Sequence, residues 1–144
     1  GARDEKICSI ADCLDFYCAP ETLSKCYNCE KCGKKGVTAK KQAKIATAPN
    51  VLCLIVKRFS WVSQAKIDTT VLLDTEDLGL GPYLEKGEPL IYRLVSVVAH
   101  HGNTLKQGHY TNFSWNKEKG SWLHFNDARV STVSFESIWS TGHP

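Results

Sequence analysis

Residues 108–127 constrain this chain more tightly than any other stretch. Residues 109–115 alternate as a strand, and residues 121–126 read as a second one. Between them Asn116-Lys117-Glu118-Lys119-Gly120 is polar and ends in glycine, a length and composition that close β-hairpins. Folding about Lys117/Glu118 sets His109 directly opposite Asn126. Directly opposed residues on antiparallel strands hold their Cβ atoms roughly 4.5–5.5 Å apart. At that distance an imidazole and a carboxamide share a hydrogen bond, giving two members of a three-part nucleophile-activating site. A one-residue slip in the pairing brings Asp127 opposite His109 instead.

The 144 residues are about one domain's worth, and 42% apolar content with four tryptophans suffices for a core. Net charge is only +3, and the lysines at 34, 35, 40, 41 and 44 read as a solvated face rather than a nucleic-acid groove. No apolar run approaches the roughly 18 residues of a membrane helix, and no secretory signal opens the chain. The expectation is an intracellular protein, without nucleic-acid or membrane partners. Seven cysteines, three of them within Cys26–Cys32, fit reduced thiols better than a disulfide framework.

Along the chain, Ser9 and Asp12 form a capping pattern for a helix over 9–18, with Ile10, Cys13, Leu14 and Tyr17 at helical spacing and Pro20 ending it. Cys8, Cys13 and Cys18 read as small buried side chains. Tyr27-x-Cys29-x-x-Cys32-Gly33 has the form of a zinc knuckle, with Cys29 and Cys32 supplying two of the four thiolates a structural zinc takes. No second, separate C-x-x-C occurs, so a zinc half-site and a metal-free finger both stay open. A strand is expected around Lys41–Thr47. Val51–Phe59, almost continuously apolar, predicts a strand buried on both faces, with Cys53 in the core. A short edge strand over Lys66–Val71, an acidic stretch at Asp74, Glu76 and Asp77, and a turn at Gly79–Tyr83 follow. One long strand is expected over Leu90–His100, then a loop from His101 to Gln107. Val130 and Val133 continue a strand, and Phe135–Trp139 forms one helical turn. The four tryptophans read as core or hairpin aromatics. The fold class is α+β, mostly antiparallel sheet with one or two short helices.

Several of these segments together resemble the C-terminal half of the ubiquitin-specific protease catalytic domain. The pieces are Cys13-Leu14 with Pro20-Glu21-Thr22-Leu23, the Tyr27-x-Cys29-x-x-Cys32 pair, Leu52-x-Leu54-x-Val56-Lys57-Arg58-Phe59, Lys66-Ile67 with Val71, and Leu78-x-Leu80-x-Pro82-Tyr83. His100-x-Gly102, Gly108-His109-Tyr110 and Trp122-x-x-Phe125-Asn126-Asp127 complete the series. The resemblance implies a papain-like palm-and-fingers portion of a thiol peptidase that cleaves after the ubiquitin C-terminal glycine. It implies His109 as general base, Asn126 as the residue orienting it through Nδ1–H, and Asp127 as a secondary aid. It places His100, Gly108 and Tyr110 along the ubiquitin tail. His101, His124 and His143 receive no role. The family's nucleophile box, its first zinc pair and its closing aromatic strand have no counterpart in residues 1–144. The expectation is therefore a C-terminal part of such a domain, partnered by the N-terminal half that carries the cysteine. The rival expectation is a non-catalytic ubiquitin-binding or scaffold module of the same fold.

Overall fold

The computed structural model describes residues 7–60, 62, 66–67, 69–73, 77–104 and 107–140. The chain divides into two compact units, one formed by residues 1–10, 53–78 and 92–144, the other by residues 11–52 and 79–91. Its elements in order are β1 (Ile7–Ser9), α1 (Ile10–Cys18), β2 (Glu21–Tyr27), β3 (Val37–Lys41), β4 (Thr70–Leu72), β5 (Asp77–Gly79), a 3-10 turn at Gly81–Tyr83, β6 (Ile91–Arg93), β7 (Ser96–Thr104), β8 (Gln107–Asn116), β9 (Ser121–Asn126), β10 (Arg129–Val133) and α2 (Phe135–Ser140).

The first unit is built on a four-stranded antiparallel sheet in the order β10-β9-β8-β7. Each connection among the last three strands is local. Asn116 Oδ1 accepts from the Lys119 backbone N–H at 2.8 Å, and Gly120 takes the positive φ (58°) that ends the turn. Asp127 and Ala128 then close β9 onto β10, and Asp127 adopts a left-handed φ of 50°. Phe113, Trp122 and Ile138 form the core, joined by Leu94, Val97, Ala99, Val133 and Phe135. Trp115 and Trp122 are directly paired across β8 and β9, their rings edge-on at 6.0 Å. A separate parallel pair joins β1 to β4.

In the second unit, α1 buries Leu14 and Cys18, while Leu80 and Tyr83 are also buried and Leu80 is fully enclosed. The Tyr83 hydroxyl donates to Asp15 Oδ1 at 2.9 Å, tying the 3-10 turn to α1. β2 and β3 form a hairpin whose tip is the cysteine turn.

Helix α1, β8, β9 and α2 lie where periodicity places them. Other segments differ. The expected strand at Lys41–Thr47 is instead β3, ending at Lys41, because its pairing with β2 is spent there. The long strand expected over Leu90–His100 divides into β6 and β7, and β7 runs through His101 to Thr104 where a loop was expected. Val51–Phe59 is not a buried strand. Val51 and Ile55 are largely exposed and Cys53 is exposed, and among the described residues the segment's one bridge is Phe59 to Lys66. An apolar strand needs a neighbour on each edge and a layer on each face, and no described strand ladder includes this run. Trp61, Asp74, Glu76 and residues 141–144 lie outside the described residues. Among the described residues no helix is long and apolar enough to cross a membrane.

Candidate active site

His109 lies near the start of β8, flanked by β7 on one side and the β9–β10 turn on the other. The β8–β9 ladder pairs Asn112 with Phe125 and Asn116 with Ser121. Its centre therefore falls between Glu118 and Lys119, one residue later than the expected Lys117/Glu118. The direct opposition of His109 and Asn126 is thereby corrected: Asn126 lies level with Thr111 and diagonal to His109. Moving the partner by two positions leaves both side chains on the same face of the sheet, and a diagonal neighbour stays within reach of a long side chain. His109 Nε2 and Asn126 Oδ1 are 2.7 Å apart.

A carboxamide oxygen only accepts, so the imidazole donates from Nε2–H. This reverses the expectation that Nδ1–H faces Asn126, and makes Nδ1 the ring nitrogen with the lone pair. Asp127 does not come opposite His109 by a slip. It occupies the turn, 81% exposed, with its Oδ2 at 3.9 Å from Nε2, beyond hydrogen-bond range.

β7 forms the other wall. His101 is the direct cross-strand partner of His109, and His100 that of Tyr110. His101 Nε2 and Thr111 Oγ1 are 2.9 Å apart, and Thr111 is buried. Burial, then the neighbouring imidazoles of His109, His124 and His100, then Lys66, hold the His101 ring below the usual histidine range. The His100 ring tilts against Tyr110 with centroids 4.6 Å apart. A Cβ on Gly108 would land on His100 Nε2, so glycine is what lets that imidazole lie across the strand. His100, Gly108 and Tyr110 thus cluster on one face of the sheet, and alternation along β8 turns the His109 side chain, with that of His101, to the other. His124 stacks on Phe113 at 4.4 Å and 12°, beneath the pair, with its Nε2 buried and without a hydrogen-bond partner.

Two residues of this neighbourhood receive no role there from the sequence, although Lys66-Ile67 is among the segments that carry the family resemblance. His101 has no visible role until β7 is seen to extend past it. Lys66 joins the site from far away in sequence, its Nζ donating to the Gly102 carbonyl at 2.7 Å and lying 3.4 Å from the His100 carbonyl.

The cysteine turn is in the second unit. Cys29 N–H donates to Lys34 O at 2.9 Å, Gly33 N–H returns to Cys29 O at 2.8 Å, and Asn28 Oδ1 accepts from Gly36 N–H. The Cys32 backbone N–H and side chain, then the Lys31 backbone N–H, stabilise Cys29 as thiolate and pull its pKa down. That suits a zinc ligand, but Cys29 and Cys32 are two donors of a required four. Among the described residues no group of three or more His, Cys, Asp or Glu is placed to hold a metal ion. The donor set stays a half-site.

The sequence matches the family model described as ubiquitin carboxyl-terminal hydrolase over residues 6–142. It is 37% identical over 141 residues to ubiquitin carboxyl-terminal hydrolase 3 of Homo sapiens, covering 92% of this chain and 26% of that protein. It is 34% identical over 145 residues to ubiquitin carboxyl-terminal hydrolase 44-B of Xenopus laevis, covering 93% of this chain and 20% of that one. Among solved structures it superposes on a chain of the SAGA DUB module of Ubp8, Sgf11, Sus1 and Sgf73 bound to monoubiquitin, with a TM-score of 0.79 and 28% identity over 96% of this chain. The same module bound to ubiquitin aldehyde gives a TM-score of 0.78 at 28% identity over 99% of this chain. The chain spans about a quarter or less of the curated relatives and 33% of either solved chain. The mostly antiparallel palm with few short helices is accordingly the papain-like fold of this group. The chain belongs to the ubiquitin carboxyl-terminal hydrolase family, within the ubiquitin-specific protease group.

Proposed function

We propose that the complete protein hydrolyses isopeptide and peptide bonds after the C-terminal glycine of ubiquitin, and that this chain supplies the general base and its orienting residue. The observation that carries this reading is the 2.7 Å hydrogen bond between His109 Nε2 and Asn126 Oδ1. With Nε2–H committed to Asn126, the lone pair on Nδ1 is the site that takes a proton from a cysteine thiol. The nucleophile is a cysteine outside these 144 residues, carried by the N-terminal half of the same domain. The resulting thiolate attacks the carbonyl carbon of the terminal glycine, and His109 returns the proton to the departing amine. The thioester is then cleaved by water that His109 deprotonates at the same nitrogen. Asn126 holds the ring through both halves and stabilises the imidazolium without adding charge. Asp127 is a secondary electrostatic aid from the turn.

His100, Gly108 and Tyr110 form the wall along which the ubiquitin tail runs. An extended chain ending in two glycines suits a surface where backbone must approach backbone. Cys29 and Cys32 form one half of a zinc finger. Free thiols at Cys18, Cys26, Cys29, Cys32 and Cys53 accord with a reducing, intracellular setting. Ubiquitin and ubiquitinated proteins are the partners.

A ubiquitin probe with a C-terminal electrophile tests the reading on the complete protein. Covalent labelling is expected, and His109→Ala is expected to abolish turnover while ubiquitin binding persists. Binding without labelling of the native protein would instead identify a non-catalytic ubiquitin-binding module, and turnover by the alanine variant would remove His109 from the mechanism.

A further inference from the structure

The imidazole at 109 is only as well placed as the strand beside it. β7 lies at the edge of the sheet, and its pairing with β8 shifts register between His101 and Thr104. Such an irregularity bends a strand and leaves carbonyls without ladder partners. At this bend the backbones of β7 and β8 touch. A Cβ on Gly102 would lie 2.8 Å from Gly108 Cα, and one on Gly108 would lie 2.8 Å from the His101 carbonyl oxygen. The two backbones meet without a Cβ between them, and the His100 ring lies over both glycines, so a displacement at residue 102 passes to Gly108 and on to His109.

Lys66 caps that bend from outside the sheet. Its Nζ is 2.7 Å from the Gly102 oxygen and 3.4 Å from the His100 oxygen, the two carbonyls that bracket His101. Lys66 is itself anchored: it forms an antiparallel bridge with Phe59, and the next residue's N–H donates to Arg58 O at 2.8 Å. Arg58 Nη1 in turn donates to the Thr69 carbonyl at 2.8 Å. A half-buried ammonium on a braced segment is a fixed point, and charge-assisted bonds to carbonyls are about twice as strong as neutral ones.

We propose that Lys66 is a positioning residue for His109: by clamping the His100 and Gly102 carbonyls it fixes the β7 bend that abuts Gly108 and faces the imidazole. The proposal rests on the reading of His109 as the general base, and extends it to a residue 43 positions away in sequence. Lys66 Nζ bonds to the His100 and Gly102 carbonyls, not to His109 or Asn126. Its effect on the reaction is geometric, and an ångström of misplacement at a reacting group costs on the order of a hundredfold in rate.

The test uses the complete protein as Lys66→Met and Lys66→Arg, with Lys119→Met, an exposed lysine of the hairpin turn, as control. Turnover is measured on a ubiquitin C-terminal amide per folded molecule, and the ring signals of ¹⁵N-labelled histidines are followed by NMR, with His109 assigned through His109→Ala. For Lys66→Met, kcat is expected to fall about 10- to 100-fold with KM within about threefold, and the His109 ring signals are expected to shift or broaden. Lys66→Arg should recover most of both, and Lys119→Met should change neither. A lower melting temperature with kcat per folded molecule and His109 signals unchanged would reduce Lys66 to a structural residue and overturn the proposal. If the native protein turns over no substrate, the proposed function falls. The NMR signals then decide alone, and unchanged His109 signals in Lys66→Met would overturn the positioning role whatever the rates.

Discussion

Removing Asn126 isolates what the second member of the site contributes. In Asn126→Ala the Nε2–H of His109 loses its acceptor at 2.7 Å. Between neutral partners such a bond is worth about 0.5–1.5 kcal/mol, and to a charged group about 1.5–3 kcal/mol. During thiol activation the ring becomes an imidazolium, so the higher range applies to the step being accelerated. The His109 side chain is 46% exposed, and solvent screening places the effect at the low end of that range, about 1.5–2 kcal/mol or roughly 10- to 30-fold in kcat/KM. Asp127 sits 3.9 Å from the same nitrogen and is 81% exposed, so Asp127→Ala should cost no more than about fivefold, as for a surface ion pair. The two changes should not add. With Asn126 gone, the Asp127 carboxylate is the nearest remaining acceptor and partly substitutes for it, so the double variant should lose more than the product of the single losses. The assay is steady-state hydrolysis of a ubiquitin C-terminal fluorogenic amide by the complete protein, with all four members of the cycle checked for folding. Asn126→Ala within twofold of the native enzyme, or Asp127→Ala costing more than Asn126→Ala, would refute the assignment of the orienting role to Asn126.

Gly108→Ala should eliminate turnover, because its Cβ would coincide with His100 Nε2 and sit 2.8 Å from the His101 carbonyl; a kinetic comparison with Gly120→Ala, where a Cβ meets nothing within 4 Å, separates crowding from loss of glycine as such. Tyr83 is pushed up to about 12, chiefly by burial and then by its bond to Asp15. The unfolded chain sheds that proton near pH 10, so the contribution, about 2–3 kcal/mol by linkage, is complete below pH 10 and is lost as pH rises toward 12. Denaturant titrations should show this alkaline loss flattened in Tyr83→Phe. Metal analysis of the purified complete protein should find zinc that Cys29→Ser and Cys32→Ser each remove; well below about one equivalent in the native protein, with folding indifferent to chelator, would leave the turn a metal-free finger.

What could be read from the residues follows how far apart the cooperating groups lie. His109 and Asn126 are 17 positions apart within one hairpin, and alternation with a polar loop was enough to put them on one face. The register was off by two positions and the ring nitrogen was reversed, since turn geometry sets the first and side-chain reach the second. Neither error changes which side chains meet, because a shift of two preserves the face. The Lys66 clamp, whose partner Gly102 is 36 positions away, leaves no local pattern: Lys66-Ile67 is one of the segments that carry the family resemblance, but nothing there points to the carbonyls it bonds. The apolar run at 51–56 shows the opposite failure. Its composition demands neighbours on both faces, yet Val51 is 76% and Ile55 84% exposed. Apolar patterning specifies burial but not the identity of the burying surface. Where that surface is the next strand, pattern and structure agree, as in β8 and β9; where no described strand supplies it, the pattern describes a neighbour that the run does not contain.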